Sequence, residues 1–177
     1  FSKKINASLY TFHPGFLTDP DGANISKKNY DFLWNEKKLI SSSYKKSWNL
    51  MVKSLKEIVK YAKKYNIKIA IESEGSINSK NHLLMQRPKE YQKLFGIFKN
   101  KEIGINLNIG HLNLASKAFN FDKIKFINNI SKHIVAMELS HNHGKNDDHL
   151  PIKRKTWYWK IIKDSKYKKI PKILEFR

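Results

Sequence analysis

The chain alternates short apolar segments with amphipathic ones, and this alternation constrains its fold more than any other feature. A helix is predicted for residues 43–65, where lysines separate apolar residues spaced three or four positions apart: Trp48, Met51, Val52, Leu55, Ile58, Val59 and Ala62. The segment that follows, NIKIAIES at residues 66–73, is a β-branched run typical of a strand covered on both faces. Together they predict one helix–strand unit of an α/β protein.

The same succession repeats along the chain. Helices are predicted for residues 88–98, 121–131 and 156–162, and strands for residues 7–13, 104–108, 133–139 and 172–176. Five apolar strands separated by helices indicate a parallel sheet. Because a closed (β/α)₈ TIM barrel takes about 250 residues, we expect residues 1–177 to form a single incomplete barrel domain of about five βα units, truncated at both ends. An open doubly wound sheet is the structural alternative.

Composition narrows the function classes. With 35 basic and 15 acidic residues the formal charge is +20, which favours an anionic partner such as nucleic acid or a phosphorylated substrate. Nearly all the basic residues are lysine rather than the arginine that groove-reading proteins prefer, so nucleic acid is the less favoured partner. The absence of cysteine excludes disulfides, thiolate zinc sites and a thiol nucleophile, and it fits a cytoplasmic protein. No apolar run is long enough for a membrane span.

Polar side chains recur where the predicted strands end. They are His13, Glu72, Asn108 with His111, Glu138 with His141, and Glu175. Long polar segments at residues 14–42, 74–86 and 140–155 follow strands, which is where ligands bind in parallel α/β folds. A carboxylate at the end of an apolar strand is costly to bury without a partner. A shared cation would be such a partner, so the strand ends predict a common polar site.

These motifs resemble the xylose isomerase-like TIM-barrel superfamily, which includes sugar phosphate isomerases/epimerases and the relatives of AP endonuclease family 2. The motifs occur in the superfamily's order and spacing, and the resemblance spans nearly the whole chain: HPG at 13–15, IES at 71–73, NIGH at 108–111, ELSHNHGKNDDH at 138–149 and LE at 174–175. The resemblance is specific for the superfamily and says little about the reaction.

The resemblance implies roles for individual residues. Glu72 and Glu175 match the metal-binding glutamates, and in the isomerases they also serve as the acid/base pair. At the two remaining metal positions the family's aspartate and histidine are replaced by Asn108 and Glu138. The set Glu72, Asn108, Glu138 and Glu175 then offers only oxygen ligands, which favours Mn²⁺ or Mg²⁺, with Zn²⁺ possible.

The resemblance also implies contacts around this set. His13 and His111 match substrate or second-metal contacts, and Asp147 with His149 matches an Asp-x-His pair that holds a further zinc in the endonucleases. Apart from the resemblance, two-residue alternation would put His141 and His143 on one side if the strand continued, so that they could join this second site; the alternative is that both are solvated in a loop. Lys153 and Arg154 could meet an anionic tail, and we expect His82 and His133 to be structural or exposed.

The function implied is a divalent-metal-dependent isomerase or epimerase of carbohydrate metabolism. It would act on a sugar or sugar phosphate by proton transfer next to a carbonyl, through an enediolate. One alternative is a metal-dependent phosphodiesterase acting on abasic DNA, for which two expected ligands are changed at Asn108 and Glu138. The other is a non-catalytic sugar-binding relative, in which the same two substitutions mark a lost site.

Overall fold

A computed structural model describes residues 2–23, 32–35, 37, 43–99 and 102–176. The strand β1 (Leu9–Phe12) is followed by a small antiparallel pair, β2 (Gly22–Ala23) and β3 (Phe32–Leu33). The remaining strands join β1 in one five-stranded sheet: β4 (Lys68–Glu72), β5 (Gly104–Asn108), β6 (Ile134–Leu139) and β7 (Lys172–Leu174).

The sheet is an arc of a barrel. Its strands are ordered β1-β4-β5-β6-β7 and every adjacent pair is parallel. Neighbours in space therefore follow chain order, whereas a doubly wound sheet reverses its strand order at a switch point. The predicted incomplete (β/α) TIM barrel is confirmed, and the alternative of an open doubly wound sheet is excluded.

Helices cover the sheet: α1 (Tyr44–Lys64), α2 (Pro88–Ile97), α3 (Ile109–Ala118), α4 (Lys123–Ile130) and the short α5 (Trp159–Ile162). The apolar side chains of these helices pack on those of the strands to form the main core, which includes Trp48, Leu55, Ile71, Leu94, Ile105 and Met137. None of the described helices is long and apolar enough to cross a bilayer.

Most predicted elements lie within a few residues of those observed, but α3 was not predicted. Strand β5 passes directly into α3 without a turn residue, and Asn108 ends the strand while capping the helix. Its Oδ1 accepts a hydrogen bond from the backbone N–H of His111 at 3.1 Å. The cap fixes the direction of the Asn108 side chain at the strand end. The predicted loop at residues 14–42 lies partly outside the described residues.

Gly75, just after β4, lies against the backbone of α3. A Cβ at this position would lie 1.9 Å from the carbonyl oxygen of His111, so Gly75→Ala must displace α3. We expect this variant to lower the free energy of unfolding by about 3 kcal/mol, at the upper end for overpacking. Gly96 in α2 has no heavy atom within 4 Å of the same added carbon, so Gly96→Ala should raise stability by roughly 0.5 kcal/mol. Urea denaturation of both variants measures the two changes in the free energy of unfolding, and equal changes would contradict the close packing of Gly75 on α3.

Candidate active site at the carboxyl ends of the strands

Four side chains from neighbouring strand ends meet at one point, and we call them the inner cluster: Glu72, Asn108, Glu138 and Glu175. The amide nitrogen of Asn108, Nδ2, lies 2.9 Å from Oε1 of Glu72 and 3.0 Å from Oε2 of Glu175. It lies 3.3 Å from Oε2 of Glu138. The structure therefore brings together the four residues that the sequence assigned to a metal, but the group at their centre is a hydrogen-bond donor.

The three carboxylates of the inner cluster differ in their affinity for protons. Burial opposes ionisation of Glu72, but the imidazole of His111, 3.1 Å away, and the hydrogen bond from the amide of Asn108 outweigh it and hold the pKa of Glu72 at about 2. Burial raises the pKa of Glu138 to about 7, and the nearby charge of Glu72 adds to this. Burial likewise raises the pKa of Glu175. The cluster thus combines an ionised carboxylate with two that hold protons more readily, an arrangement typical of acid–base sites.

A second group, the outer triad, consists of His111, Asp147 and His149. Among the described residues, it is a set of histidine and acidic side chains whose ligand atoms all lie within 4.8 Å of one another. Oδ2 of Asp147 lies 3.5 Å from Nε2 of His111 and 2.9 Å from Nε2 of His149. Ligands of a tetrahedral zinc, each about 2.0–2.2 Å from the ion, are about 3.3 Å apart. The outer triad therefore fits a cation.

The surroundings of the two triad histidines also fit metal ligands. Nδ1 of His111 faces Oε1 of Glu72 at 3.1 Å, and Nδ1 of His149 faces the carbonyl oxygen of Glu175 at 3.1 Å. Metal-binding histidines usually donate their second ring nitrogen to such an oxygen, which orients the first toward the metal. The charge of Asp147 outweighs burial and raises the pKa of His111, and the two histidines hold the pKa of Asp147 well below its usual range. The contacts of His111 with Glu72 and of His149 with Glu175 join the outer triad directly to the inner cluster.

A cleft of about 220 Å³ opens above these groups, lined by His13, Phe32, Glu74, Gly75, Leu83, His111, Asp147, His149 and Glu175. Ligand pockets for drug-sized molecules measure about 300–1,000 Å³, so this cleft suits a small polar molecule. The outer triad and Glu175 line the cleft, whereas Glu72, Asn108 and Glu138 are not among its lining residues.

Two buried residues of the site were missed from the sequence. Glu74 lines the cleft and contacts Nδ1 of His13 through Oε1 at 2.6 Å. Asn106 donates from Nδ2 to Oε1 of Glu138 at 2.7 Å. Glu74 and Asn106 each lie two positions from a predicted site residue, Glu72 and Asn108, so the two-residue period of an extended segment was the signal that could have found them.

His141, which could have joined the second site, is not part of the outer triad. Its backbone pairs with Leu150 at 2.8 Å in both directions, and its Nδ1 lies 3.2 Å from the hydroxyl of Tyr158. It is not among the residues that line the cleft. His82 and His133 stack on Trp34 and Phe95, respectively, which gives both histidines a packing role.

The pairing of His13 with Glu74 predicts a pH dependence. The hydrogen bond that His13 donates to the Glu74 carboxylate raises the pKa of His13 from 6.5 to about 9. Because folding raises the pKa of His13, its ionised ring adds to the free energy of unfolding fully below pH 6.5, and this contribution is lost as the pH rises through about 9.

We expect Glu74→Gln to lower the pKa of His13 toward 6.5, as measured by NMR titration of the His13 ring. Glu57→Gln, at an exposed position on α1, is the control and should leave that pKa unchanged. A His13 that titrates alike in both variants would contradict the pairing.

The sheet and its polar strand ends define an incomplete (β/α) TIM barrel with a candidate site at the carboxyl ends of its strands. A comparison with models of protein families matches residues 1–177 to the xylose isomerase-like TIM barrel family, and the chain belongs to that family. The resemblance predicted from the motifs is thereby confirmed. A comparison with curated protein sequences gave no match.

Solved structures with this fold include sugar epimerases and related proteins. A D-tagatose 3-epimerase-like protein superposes with a TM-score of 0.70 at 21% identity, over 99% of this chain and 58% of that one. A protein from Thermus thermophilus, soaked with ZnCl₂, gives 0.60 at 13% identity over the same shares, 99% and 58%. The 3-keto-D-glucoside 4-epimerase from E. coli gives 0.55 at 8% identity, over 77% and 49%. The chain therefore spans just over half the length of the first two proteins, and at such identities the likeness shows the fold alone.

Proposed function

We propose that the protein is a sugar or sugar-phosphate isomerase or epimerase that moves a proton on the carbon next to a carbonyl. The observation that carries this proposal is the convergence of three carboxylates, Glu72, Glu138 and Glu175, on Asn108, with Glu175 lining a small polar cleft. Carboxylates held close together with different pKa values are the groups that such proton transfer requires. The family and the epimerases among its structural neighbours support the same reaction class.

Glu175 is the proposed group that exchanges a proton with the substrate, because it lines the cleft. Glu72 does not line the cleft and is joined to Glu175 through the amide of Asn108, at 2.9 Å and 3.0 Å. The ionised Glu72 holds that amide in place and opposes the ionisation of Glu175. In this proposal Glu72 is the partner that positions Glu175 and tunes its affinity for a proton.

The proton balance follows from these positions. As Glu175 takes the proton from the carbon, the electron pair of the C–H bond forms an enediolate whose oxygen carries the negative charge. Return of the proton to the neighbouring carbon, with the hydroxyl proton passing from one enediolate oxygen to the other, gives an isomerisation. Return to the other face of the same carbon gives an epimerisation. The second route needs another proton donor, and the hydrogen-bonded pair of His13 and Glu74 lines the same cleft.

His111, Asp147 and His149 are the residues proposed to hold a divalent cation. When bound, such an ion would stabilise negative charge on a substrate oxygen. Two imidazoles and one carboxylate favour Zn²⁺ over Mg²⁺, in contrast to the all-oxygen set expected from the sequence. The chain's own contribution is to orient both imidazoles, through Glu72 and the backbone of Glu175.

Deuterium incorporation tests the proposed reaction. The protein, supplied with Zn²⁺ or Mn²⁺, is incubated in D₂O with D-tagatose, D-fructose or their phosphates, and the sugars are examined by NMR. We expect deuterium to appear on the carbon next to the carbonyl of at least one of these ketoses. Absence of deuterium from all of them, in protein with the metal bound, would contradict the proposal.

Cleavage of abasic DNA is the second candidate function, and two observations favour it. The outer triad matches the Asp-x-His zinc motif of the endonucleases, and the charge of +20 would attract a phosphate backbone. Against it, the inner cluster has Asn108 and Glu138 where that chemistry uses zinc ligands. Chelator-sensitive nicking of an abasic duplex, without deuterium exchange on sugars, would favour the endonuclease over the isomerase.

A further inference from the structure

The amide of Asn108 lies where the glutamates of the inner cluster point. Its Nδ2 is within 3.3 Å of a carboxylate oxygen of Glu72, Glu138 and Glu175. We propose that this amide takes the place of a cation in the inner cluster and closes it to divalent ions, so that a cation binds at the outer triad instead. The four residues of the inner cluster therefore do not fit the metal that the family resemblance implies.

The orientation of the Asn108 amide is held from both sides. Its Oδ1 accepts the hydrogen bond from the backbone N–H of His111 at 3.1 Å, which caps α3. Turning the amide over would set two N–H donors against each other at the cap and place Oδ1 among three carboxylates. Both changes are unfavourable, because each replaces a hydrogen bond with a repulsive contact. Asn108 therefore offers the inner cluster only a donor, and an N–H group cannot bind a metal ion.

The spacing of the carboxylates also fits an amide better than a metal. Oxygen ligands of Mg²⁺ lie about 2.0–2.1 Å from the ion, so opposite ligands are about 4.2 Å apart. Among the described residues, the outer triad is a group whose ligand atoms all lie within 4.8 Å of one another, and the carboxylate oxygens of the three glutamates are not such a group. They surround Nδ2 at hydrogen-bond distances of 2.9, 3.0 and 3.3 Å. An ion at the centre would need all of them to move inward and the amide to leave.

The inference rests on the proposed isomerase or epimerase site and specifies which residues of that site hold the cation. Asn108 is then a positioning residue for Glu175. The test of the inference counts metal ions and does not use activity. An absence of deuterium exchange would therefore count against the proposed function alone, and a second bound ion would count against this inference alone.

The test compares Mn²⁺ binding in a background without the outer triad. His149→Ala removes one triad ligand, and Asn108→Asp added to it supplies an inner carboxylate while keeping a residue that caps helices well. Free Mn²⁺ is measured by electron paramagnetic resonance during a titration. We expect the double variant to bind one Mn²⁺ at least about tenfold more tightly than His149→Ala alone, because even residues outside the ligand shell change metal affinity by that factor.

Asn106→Asp in the same background is the matched control. Asn106 is also buried on β5, but within the inner cluster it contacts only the carboxylate of Glu138. The carboxylate introduced by Asn106→Asp should therefore not create an Mn²⁺ site in the inner cluster. Equal Mn²⁺ affinity with and without Asn108→Asp, or an equal gain from Asn106→Asp, would overturn the proposal.

If the double variant does not fold, native mass spectrometry of the unmodified chain with Zn²⁺ counts the bound ions instead. One ion that is lost in His149→Ala is expected, and a second ion would overturn the proposal.

Discussion

Glu175→Gln is expected to reduce deuterium exchange on the substrate by roughly 10²- to 10⁴-fold, the range typical of a lost general acid–base catalyst. Glutamine keeps the shape of the side chain and can still contact Asn108, but it cannot take a proton. Glu175 lines the cleft and its pKa is raised by burial, so the change removes the group proposed to meet the substrate. NMR of the sugar in D₂O measures the rate, with each variant loaded with the same metal.

The control for Glu175→Gln is Glu57→Gln, which changes an exposed glutamate on α1 and should leave the rate unchanged. Urea denaturation of the variant shows whether it is folded. A folded Glu175→Gln variant that exchanges deuterium at the normal rate would show that Glu175 is not the proton-transfer group.

His149→Ala is expected to weaken Zn²⁺ binding by at least about 100-fold. Loss of a residue outside the ligand shell already costs about 10- to 100-fold in metal affinity, and His149 is a proposed ligand. Its Nε2 lies 2.9 Å from Oδ2 of Asp147, and the ligand atoms of the three triad residues lie within 4.8 Å of one another. Competition with a fluorescent zinc chelator measures the change.

His143→Ala is the matched control for the triad. His143 lies in the same loop as His149 and is exposed, with its ring 5.2 Å from that of His141, outside the triad. This variant should bind Zn²⁺ as tightly as the unmodified chain. If His149→Ala retained full affinity, or if His143→Ala lost as much, the cation would lie elsewhere.

Much of the fold could be predicted from hydrophobic periodicity. The helix predicted at residues 43–65 is α1 at Tyr44–Lys64, and the strand predicted at residues 104–108 is β5. These elements depend on which faces are buried, and that pattern is written in the sequence. Helix α3 was missed because β5 passes into it with no connecting loop, and because almost all of α3 is buried, so it has no polar face to mark its period.

The grouping of the site residues could also be predicted, because the ends of parallel strands lie at one edge of a sheet. Their hydrogen-bond roles could not. Asn108 was assigned as an oxygen ligand, yet its oxygen caps α3 and its nitrogen faces the carboxylates. This orientation depends on the unpredicted helix. Two-residue alternation left open that His141 joins the second site, but its backbone pairs with Leu150 and its ring lies against Tyr158.

Anomalous diffraction from crystals soaked in MnCl₂ shows directly whether a cation binds at the outer triad or in the inner cluster, because Mn²⁺ can bind the donor atoms of either group. We expect a peak among Nε2 of His111, Oδ2 of Asp147 and Nε2 of His149, with Nδ2 of Asn108 still within hydrogen-bond distance of the glutamates. A peak at the centre of the inner cluster, with Oδ1 of Asn108 turned toward it, would show that the inner cluster holds the cation and that Asn108 does not exclude it.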